Sequence, residues 1–303
     1  MATMLQLVQQ VTNELGLPTP STVAGNPNQD TVQILALMNA TGYELLRRAD
    51  WRELTKQHTF YTEATSTVGT WDTVSAVITG IPSTAGIDTT YQVTGQGIPN
   101  ATYVTGVLNG TSVSINYKPT EAGVGASLNF QKVKYDLPAD YVSSVNRTHW
   151  DKSKRWEMLG PESPQQWEWL LSGYISTGPR IRWRLLGKYF QIWPGVNAGE
   201  LLGFEYRSAA WAIGADGTAK NSFTADNDTC IYPDRLMVLS TKLKYFEAKG
   251  FDTTAIYRDY LMELETAIAQ DTGGANLSFA PRPGTVLIGY DNIPDSGYGT
   301  DSQ

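Results

Sequence analysis

The chain has 303 residues, a formal net charge of −7 and a hydrophobic fraction of 41%. No apolar run reaches the roughly 18 residues that a membrane-spanning helix needs, so the sequence excludes a membrane span, and its length favours about two modules. A single cysteine, Cys230, excludes an internal disulfide and fits synthesis in a reducing compartment. The acidic balance argues against a tight, sequence-independent grip on nucleic acid, which needs clustered lysine and arginine.

The N-terminal part of the chain predicts two helices joined by a loop. Over residues 1–16, apolar side chains recur three and four positions apart, which predicts an amphipathic helix that ends at a glycine. Pro, Gly and Asn then predict a loop. A wide apolar face predicts a second helix from about Gln29 to Ala49, with Arg47 and Arg48 in its last turn.

The character of the sequence changes between residues 65 and 131. Charged residues become rare, Gly, Thr, Val and Ser dominate, and short β-rich runs alternate with turn residues. Residues 55–64 before this stretch and the segment from Lys132 after it both have strand patterns. We therefore predict that residues 65–131 form a small all-β module inserted into a host domain.

The rest of the chain predicts a helix, a strand meander and two closing helices. The first two strands are separated by two residues, which is typical of a β-hairpin. In the last helix, Tyr257, Leu261, Leu264 and Ile268 recur at helical spacing. In chain order, the predicted elements are a helix at Ser163–Tyr174, strands at Arg180–Leu186, Tyr189–Trp193 and Leu202–Ser208, and helices at Leu236–Lys249 and Thr254–Gln270.

These elements predict an α+β fold. Amphipathic helices near both ends of the chain bury their apolar stripes most simply against one another, so we expect a helical bundle accompanied by a small antiparallel sheet. The predicted domains are a discontinuous helical and meander domain of residues 1–64 and 132–273, the inserted β-module of residues 65–131, and an extended tail of residues 274–303.

The sequence shows no reaction centre. It lacks a G-x-S-x-G motif, and its two histidines, His58 and His149, are far apart in the chain. Glu263 and Glu265 are two positions apart on a predicted helix and therefore face different directions. We predict a protein that is not an enzyme and that uses no metal and no cofactor.

Basic residues form three small groups. Arg180, Arg182 and Arg184 alternate along a predicted strand, so they project from one face. An exposed sheet face or ion pairs between subunits are the favoured interpretations, and contact with an acidic partner surface or with phosphate is the alternative. The intersubunit candidates are Arg47, Arg48, Arg180, Arg182 and Arg184, and the three groups are Arg47, Arg48 and Arg52, then Lys152, Lys154 and Arg155, then Arg180, Arg182 and Arg184.

Five tryptophans cluster in the middle third of the chain. Core packing is the favoured interpretation, since tryptophan is highly buried on average, and a subunit interface or a sugar-stacking platform are the alternatives. The five are Trp167, Trp169, Trp183, Trp193 and Trp211.

Two stretches resemble proteins of bacteriophage particles. LQLVQQVTNELGLPTPSTVAGNPNQDTVQILALMNATGYELLRRADWREL resembles the N-terminal region of head-to-tail adaptor proteins of short-tailed phages, the tail tubular protein A-like family. The shared features are the segment Leu15–Pro18, the loop Ser21–Asn28 and the pair Arg48–Trp51. GQGIPNATYV, from Gly95, resembles a β-module with the pattern GxGIPxGTxV found in many phage structural proteins, except that Ala101 replaces the usual glycine.

The resemblance implies a structural virion protein. Adaptors of this family form a ring, usually of about twelve copies, which docks beneath the portal protein and continues the DNA channel. The implied partners are further copies of the chain, the portal protein, tail nozzle or tail fibre proteins, and DNA in transit, without any membrane. The implied location is the neck of the virion, after assembly in the host cytoplasm.

The tail is the candidate portal-binding segment. Extended segments with apolar anchors order on the surface of a partner, and such anchors carry a large share of interface energy. The anchors are Phe279, Leu287, Ile288, Tyr290, Ile293 and Tyr298.

Two other functions stay open at this point. The first is a carbohydrate-binding tail protein whose Trp183 and Trp193 stack on sugars. The second is a cell-wall hydrolase, which needs a carboxylate acid and base in one cleft, and Glu162, Glu168 and Glu200 are its nearest candidates.

Overall fold

The computed structural model describes residues 1–172 and 180–272. Helices make up 29% of this described part and strands 31%. The strands pair into several small antiparallel sheets. The predicted fold class, an α+β fold with a helical bundle as its core and one small sheet, is therefore wrong.

The helices lie where apolar periodicity predicted them. The first is capped by Thr3, whose hydroxyl accepts a hydrogen bond from the Gln6 amide, and it ends at Gly16 in a left-handed conformation with φ 68°. No helix in the two described ranges is long and apolar enough to cross a lipid bilayer. The helices are α1 Met4–Leu15, α2 Gln29–Arg48, α3 Pro164–Leu171, α4 Asp234–Lys249 and α5 Thr254–Thr272, with a 3-10 turn at Arg52–Leu54.

The strands are short, and several have only two residues, a length at which alternation gives no signal. In chain order they are β1 Thr55–Tyr61, β2 Ala64–Trp71, β3 Val77–Ile78, β4 Tyr91–Gly95, β5 Val104–Asn109, β6 Ser112–Ile115, β7 Gly123–Lys132, β8 Lys134–Asp136, β9 Tyr141–Ser144, β10 Trp150–Asp151, β11 Trp156–Glu157, β12 Arg182–Leu186, β13 Tyr189–Trp193, β14 Leu201–Ser208, β15 Ala212–Ile213, β16 Ala219–Lys220 and β17 Thr229–Cys230.

The largest sheet in the described chain has five strands. Its order is β1-β14-β10-β11, and β9 also pairs with β14. Strand β1 runs antiparallel to β14, from Thr55 opposite Arg207 to Tyr61 opposite Leu201. The predicted hairpin at Gly187-Lys188 is confirmed, since Leu186 pairs with Tyr189. The three-stranded sheets have the orders β12-β13-β8, β16-β15-β17, β2-β7-β4 and β3-β6-β5.

The bundle prediction fails because the helices share their apolar faces with a sheet. Helices α1, α2, α4 and α5 contribute to one cluster, which we call the helical cluster, but residues of the β16-β15-β17 region fill part of it. Gly42 of α2 lies so close to Trp211 that a Cβ atom there would be 2.2 Å from the indole Cζ2. The residues between β14 and α4 that enter the cluster are Trp211, Ala212, Phe223, Cys230 and Tyr232.

Three further apolar clusters lie among the strands. One is built entirely from residues between Trp71 and Phe130. Another fills the space between the five-stranded sheet and the β12-β13-β8 sheet. A small one surrounds Trp167 and Trp193, and Ala101 reaches it from the segment that precedes β5.

The residue 64–132 segment leaves and rejoins the rest of the chain at neighbouring points. Ala64 of β2 pairs with Gln131 of β7. The Lys132 amide donates to the Glu63 carbonyl at 2.9 Å, and its ammonium lies 2.8 Å from the Glu63 carboxylate. The predicted division into a discontinuous host domain, an inserted module and a tail stays a prediction.

Candidate interaction surface

Helix α5 buries one side and exposes large apolar residues on another. Tyr260, Leu264 and Ala267 are buried in the helical cluster. Tyr257 is 50% exposed and Met262 is 63% exposed. Exposed apolar side chains of this size are found on surfaces that contact other proteins. The exposed group, which we call the α5 apolar strip, consists of Tyr257, Leu261 and Met262 of α5 and Phe251 in the turn before it.

The sequence did not reveal this strip. It placed Tyr257, Leu261, Leu264 and Ile268 on one apolar face, whereas the side that packs is centred near Tyr260 and Ala267, which leaves Tyr257 and Leu261 uncovered. An apolar stripe wider than its contact leaves one edge uncovered, and periodicity alone does not show which edge that is.

A groove of about 800 Å³ separates the C-terminal ends of α2 and α5 from the outer part of the five-stranded sheet. Tyr43 of α2, Val142 of β9 and Ile268 of α5 give it apolar walls. Arg47 and Arg48, two of the predicted intersubunit residues, lie at its edge. The groove therefore offers a neighbouring chain both apolar contact and positive charge.

The charges around this groove are mostly paired. Arg48 donates to Glu44 at 2.6 Å, and Arg207 pairs with Asp50. A hydrogen bond from Lys244 lowers the pKa of Glu44, which burial opposes, and the bond from Arg48 lowers it further. Arg47 is exposed and has no ion pair with the described residues, so it is the cation left over for a partner.

The second group of intersubunit candidates is engaged within the chain. Arg182 donates to Glu162 at 2.7 Å. The Arg184 guanidinium donates to Gln191 at 2.7 Å and lies 4.5 Å from the centre of the Trp167 ring. Arg180 is exposed and precedes β12. A role for these arginines between subunits stays a prediction.

The six predicted portal-binding anchors, between Phe279 and Tyr298, lie outside the described residues. The tryptophans do lie within them, and Trp167, Trp183, Trp193 and Trp211 are all buried. Core packing is thus confirmed for these four, and the faces of Trp183 and Trp193 are not accessible to a sugar. Trp169, on α3, is 60% exposed.

Two of the three hydrolase candidates are held by cations, and the third, Glu168 of α3, forms no ion pair with the described residues. Glu162 pairs with Arg182, while Glu200 accepts two hydrogen bonds from the Lys154 ammonium, at 2.8 and 2.9 Å. Two carboxylates that each neutralise a different cation are not poised for glycoside hydrolysis. Across residues 1–172 and 180–272, no group of three or more His, Cys, Asp and Glu is placed to hold a metal ion.

No protein-family model matches the chain, and no curated protein matches its sequence. Its function therefore has to be argued from the resemblance of two stretches and from the surfaces just described.

Proposed function

We propose that this protein is a structural component of a bacteriophage virion that forms an oligomeric ring between the portal and the tail and continues the DNA channel. The resemblance of the N-terminal helices and of the segment from Gly95 to phage proteins supports this assignment. The proposed partners are the portal protein above the ring and tail nozzle or tail fibre proteins below it. The neck of the virion is the proposed location, after assembly in the host cytoplasm.

The α5 apolar strip is the observation that carries the proposal. A contact in which different surfaces of neighbouring copies meet closes into a ring when the rotation between copies allows it. Burial of a large apolar side chain contributes about 1.5–3 kcal/mol. A few such side chains per copy, repeated around a closed ring, give a stable assembly from one modest contact.

The charge of the chain suits a channel for DNA. Each copy carries a net charge of −7. An assembly of many copies with this charge repels the phosphate backbone, so DNA passes through without adhering to the wall.

The test is the oligomeric state of the purified chain, measured by native mass spectrometry and negative-stain microscopy with and without the portal protein of the same virus. We expect closed rings on the portal. Replacing both Tyr257 and Met262 with Asp is expected to keep the chain monomeric, with an unchanged circular dichroism spectrum, because these side chains are 50% and 63% exposed.

Val74→Asp is the matched control, since Val74 is 73% exposed and lies outside α5. We expect this variant to form rings like the unmodified chain. If the unmodified chain stays monomeric with the portal present, the proposed function is wrong. If rings form equally well with both α5 substitutions, the α5 apolar strip is not part of the contact between copies.

A further inference from the structure

The five-stranded sheet carries a second concave feature, unrelated to the α5 apolar strip. It is a pocket of about 390 Å³ between β1, β14 and the two loops that flank β10 and β11. Three of its side chains are cationic and one is a carboxylate. The basic pocket, as we call it, is lined by Gln57, Arg147, Trp150, Lys152, Arg155 and Glu205.

The three cations of the basic pocket have no ionic partner. Arg147, Lys152 and Arg155 form no ion pair and no side-chain hydrogen bond with the described part of the chain. Lys154, in the same loop, differs, because its ammonium is held by Glu200 at 2.8 Å. Glu205, the one carboxylate of the pocket, forms no ion pair with any of the three, so positive charge exceeds negative charge there and favours the binding of an anion.

A glycine of β14 lies against one of the cations of the pocket. Trp150 of β10 pairs with Gly203 of β14. A Cβ atom on Gly203 would lie 3.0 Å from both the Lys152 Cε and the Thr59 Cγ2 atoms, so a side chain there would press on Lys152, which lines the pocket. Glycine within a strand often marks a place where a ligand approaches closely. Trp150 also lines the basic pocket and is 43% exposed, so part of its ring is open to solvent.

The backbone of the pocket is strained at both arginines. Arg147 has φ 64° and Arg155 has φ 59°, and the only other non-glycine residue with positive φ in the described ranges is Ala101. This conformation is unfavourable for residues with side chains, and such strain concentrates at functional sites. Hydrogen bonds hold both loops in place, since the Glu205 amide donates to Thr148 at 3.0 Å and the Lys154 amide to Asp151 at 3.0 Å.

We propose that the basic pocket binds single-stranded nucleic acid, with phosphates contacting Arg147, Lys152 and Arg155 and one base stacked on Trp150. Cations combined with an exposed aromatic ring are the features by which proteins hold single strands. In duplex DNA the phosphates are accessible, but the base faces are stacked and cannot contact Trp150. An acidic peptide would pair with the cations without stacking on the indole ring. The proposal goes beyond the ring assignment and does not depend on it.

The test is fluorescence anisotropy of a dye-labelled oligothymidylate titrated with the full chain at several salt concentrations. Arg147→Gly and Arg155→Gly relax the left-handed backbone, so the melting temperature is expected to stay constant or rise while affinity falls. The triple variant, which adds Lys152→Gln to both arginine substitutions, loses all three phosphate contacts. Each contact contributes about 0.7 to the slope of log K against log salt, so the magnitude of the slope is expected to fall by about two.

The stacking contact has its own variant. Trp150→Ala is expected to weaken binding on the order of tenfold without changing the salt slope, because it removes a base contact and no charge. Lys118→Gln is the matched control, since Lys118 is an exposed lysine outside the basic pocket. We expect this control to bind the oligonucleotide like the unmodified chain.

Three results would overturn the proposal. The first is no binding of the oligonucleotide by the unmodified chain at low salt. The second is duplex binding as tight as single-strand binding and indifferent to Trp150→Ala, which would indicate a surface that contacts phosphate only. The third is an altered oligomeric state of the pocket variants with unaltered oligonucleotide binding, which would assign the cations to a contact between copies. Ring formation is read by mass, so the two proposals fail separately.

Discussion

His149 lies at the centre of an aromatic stack between two sheets. Its ring centre is 3.7 Å from that of Trp183 and 5.3 Å from that of Phe204, with near-parallel planes. The residue is 1% exposed, and its Nε2 atom has no hydrogen-bond partner in the described structure. Burial lowers the pKa of His149 to about 4. The histidine therefore acts as a neutral aromatic ring within the core.

This burial makes the stability of the protein depend on pH. An unfolded histidine has a pKa near 6.5, so between about pH 6.5 and 4 the unfolded chain binds a proton that the folded chain does not. The free energy of unfolding therefore falls as the pH drops through this window, by about 3 kcal/mol at most. Burial also lowers the pKa of His58, which is opposed by Asp140, so His58 adds to the fall in the same direction.

His149→Phe is expected to flatten the pH dependence, since phenylalanine keeps the stack and carries no titrating nitrogen. The measurement is the urea midpoint from pH 4 to pH 7. His58→Gln is the matched control and should retain the larger part of the dependence. An unchanged slope in His149→Phe would contradict this account. Asp140 affects only the acid end of this range: burial raises its pKa, but hydrogen bonds from Lys56, Ser208 and Tyr206 outweigh this and lower it to about 2, so its contribution to stability begins to fall below about pH 5 in both variants.

At the scale of elements, the contact between α2 and Trp211 depends on one missing side chain. Replacing an exposed helical glycine with alanine normally stabilises a helix by about 1 kcal/mol. Gly42→Ala is expected to do the opposite, with a loss of about 1–3 kcal/mol, because the added methyl overlaps the indole ring. Chemical denaturation measures the difference.

Gly110→Ala serves as the control, since no atom lies within 4 Å of the position that its Cβ would occupy. We expect a change of less than about 0.5 kcal/mol there, as for other surface substitutions. A Gly42→Ala variant as stable as the unmodified chain would mean that α2 shifts away from Trp211 at little cost.

The same contact explains which parts of the fold the sequence predicts. Helices α2 and α4 carry a 3.6-residue period strong enough to locate them. The partners that share their cluster, such as Trp211 and Phe223, come from short strands and a polar stretch without any period. The sequence therefore predicted the helices correctly and their packing incorrectly. An apolar stripe shows that a helix face is buried, but it does not show which residues cover that face.

The surfaces follow a similar rule. Lys152 and Arg155 are neighbours in sequence and were grouped from it, together with Lys154. Only the folded structure shows that Lys154 pairs with Glu200. It also shows that Gln57 and Glu205, from distant parts of the chain, line the basic pocket together with Lys152 and Arg155. Charge clusters are visible in a sequence, but the partner that neutralises each charge is a property of the fold.

At the scale of the whole molecule, the apolar burial of residues 1–172 and 180–272 is divided among four clusters. The cluster between Trp71 and Phe130 draws on no residue outside the module. We therefore predict that residues 64–132 fold as a separate fragment, with a cooperative thermal transition and dispersed amide resonances in an NMR spectrum. A collapsed fragment without such dispersion would show that contacts such as that of Ala101 with the Trp167 cluster are required.

The complementary variant joins Glu63 to Val133 through a short glycine linker. We expect it to keep the helical cluster and the five-stranded sheet, since the two ends of the deletion already lie side by side. Circular dichroism and the denaturation midpoint check this. Loss of the helical signal would show that the module supports the rest of the chain.

The bonds between Glu63 and Lys132 also determine how the chain responds to a pulling force. The amide hydrogen bond and the ion pair join the two residues directly, at 2.9 and 2.8 Å. Tension applied along the polypeptide is carried by these two bonds and does not reach the residues between Glu63 and Lys132. A pulling force on the two flanking segments therefore leaves residues 64–131 unloaded until both bonds between Glu63 and Lys132 break.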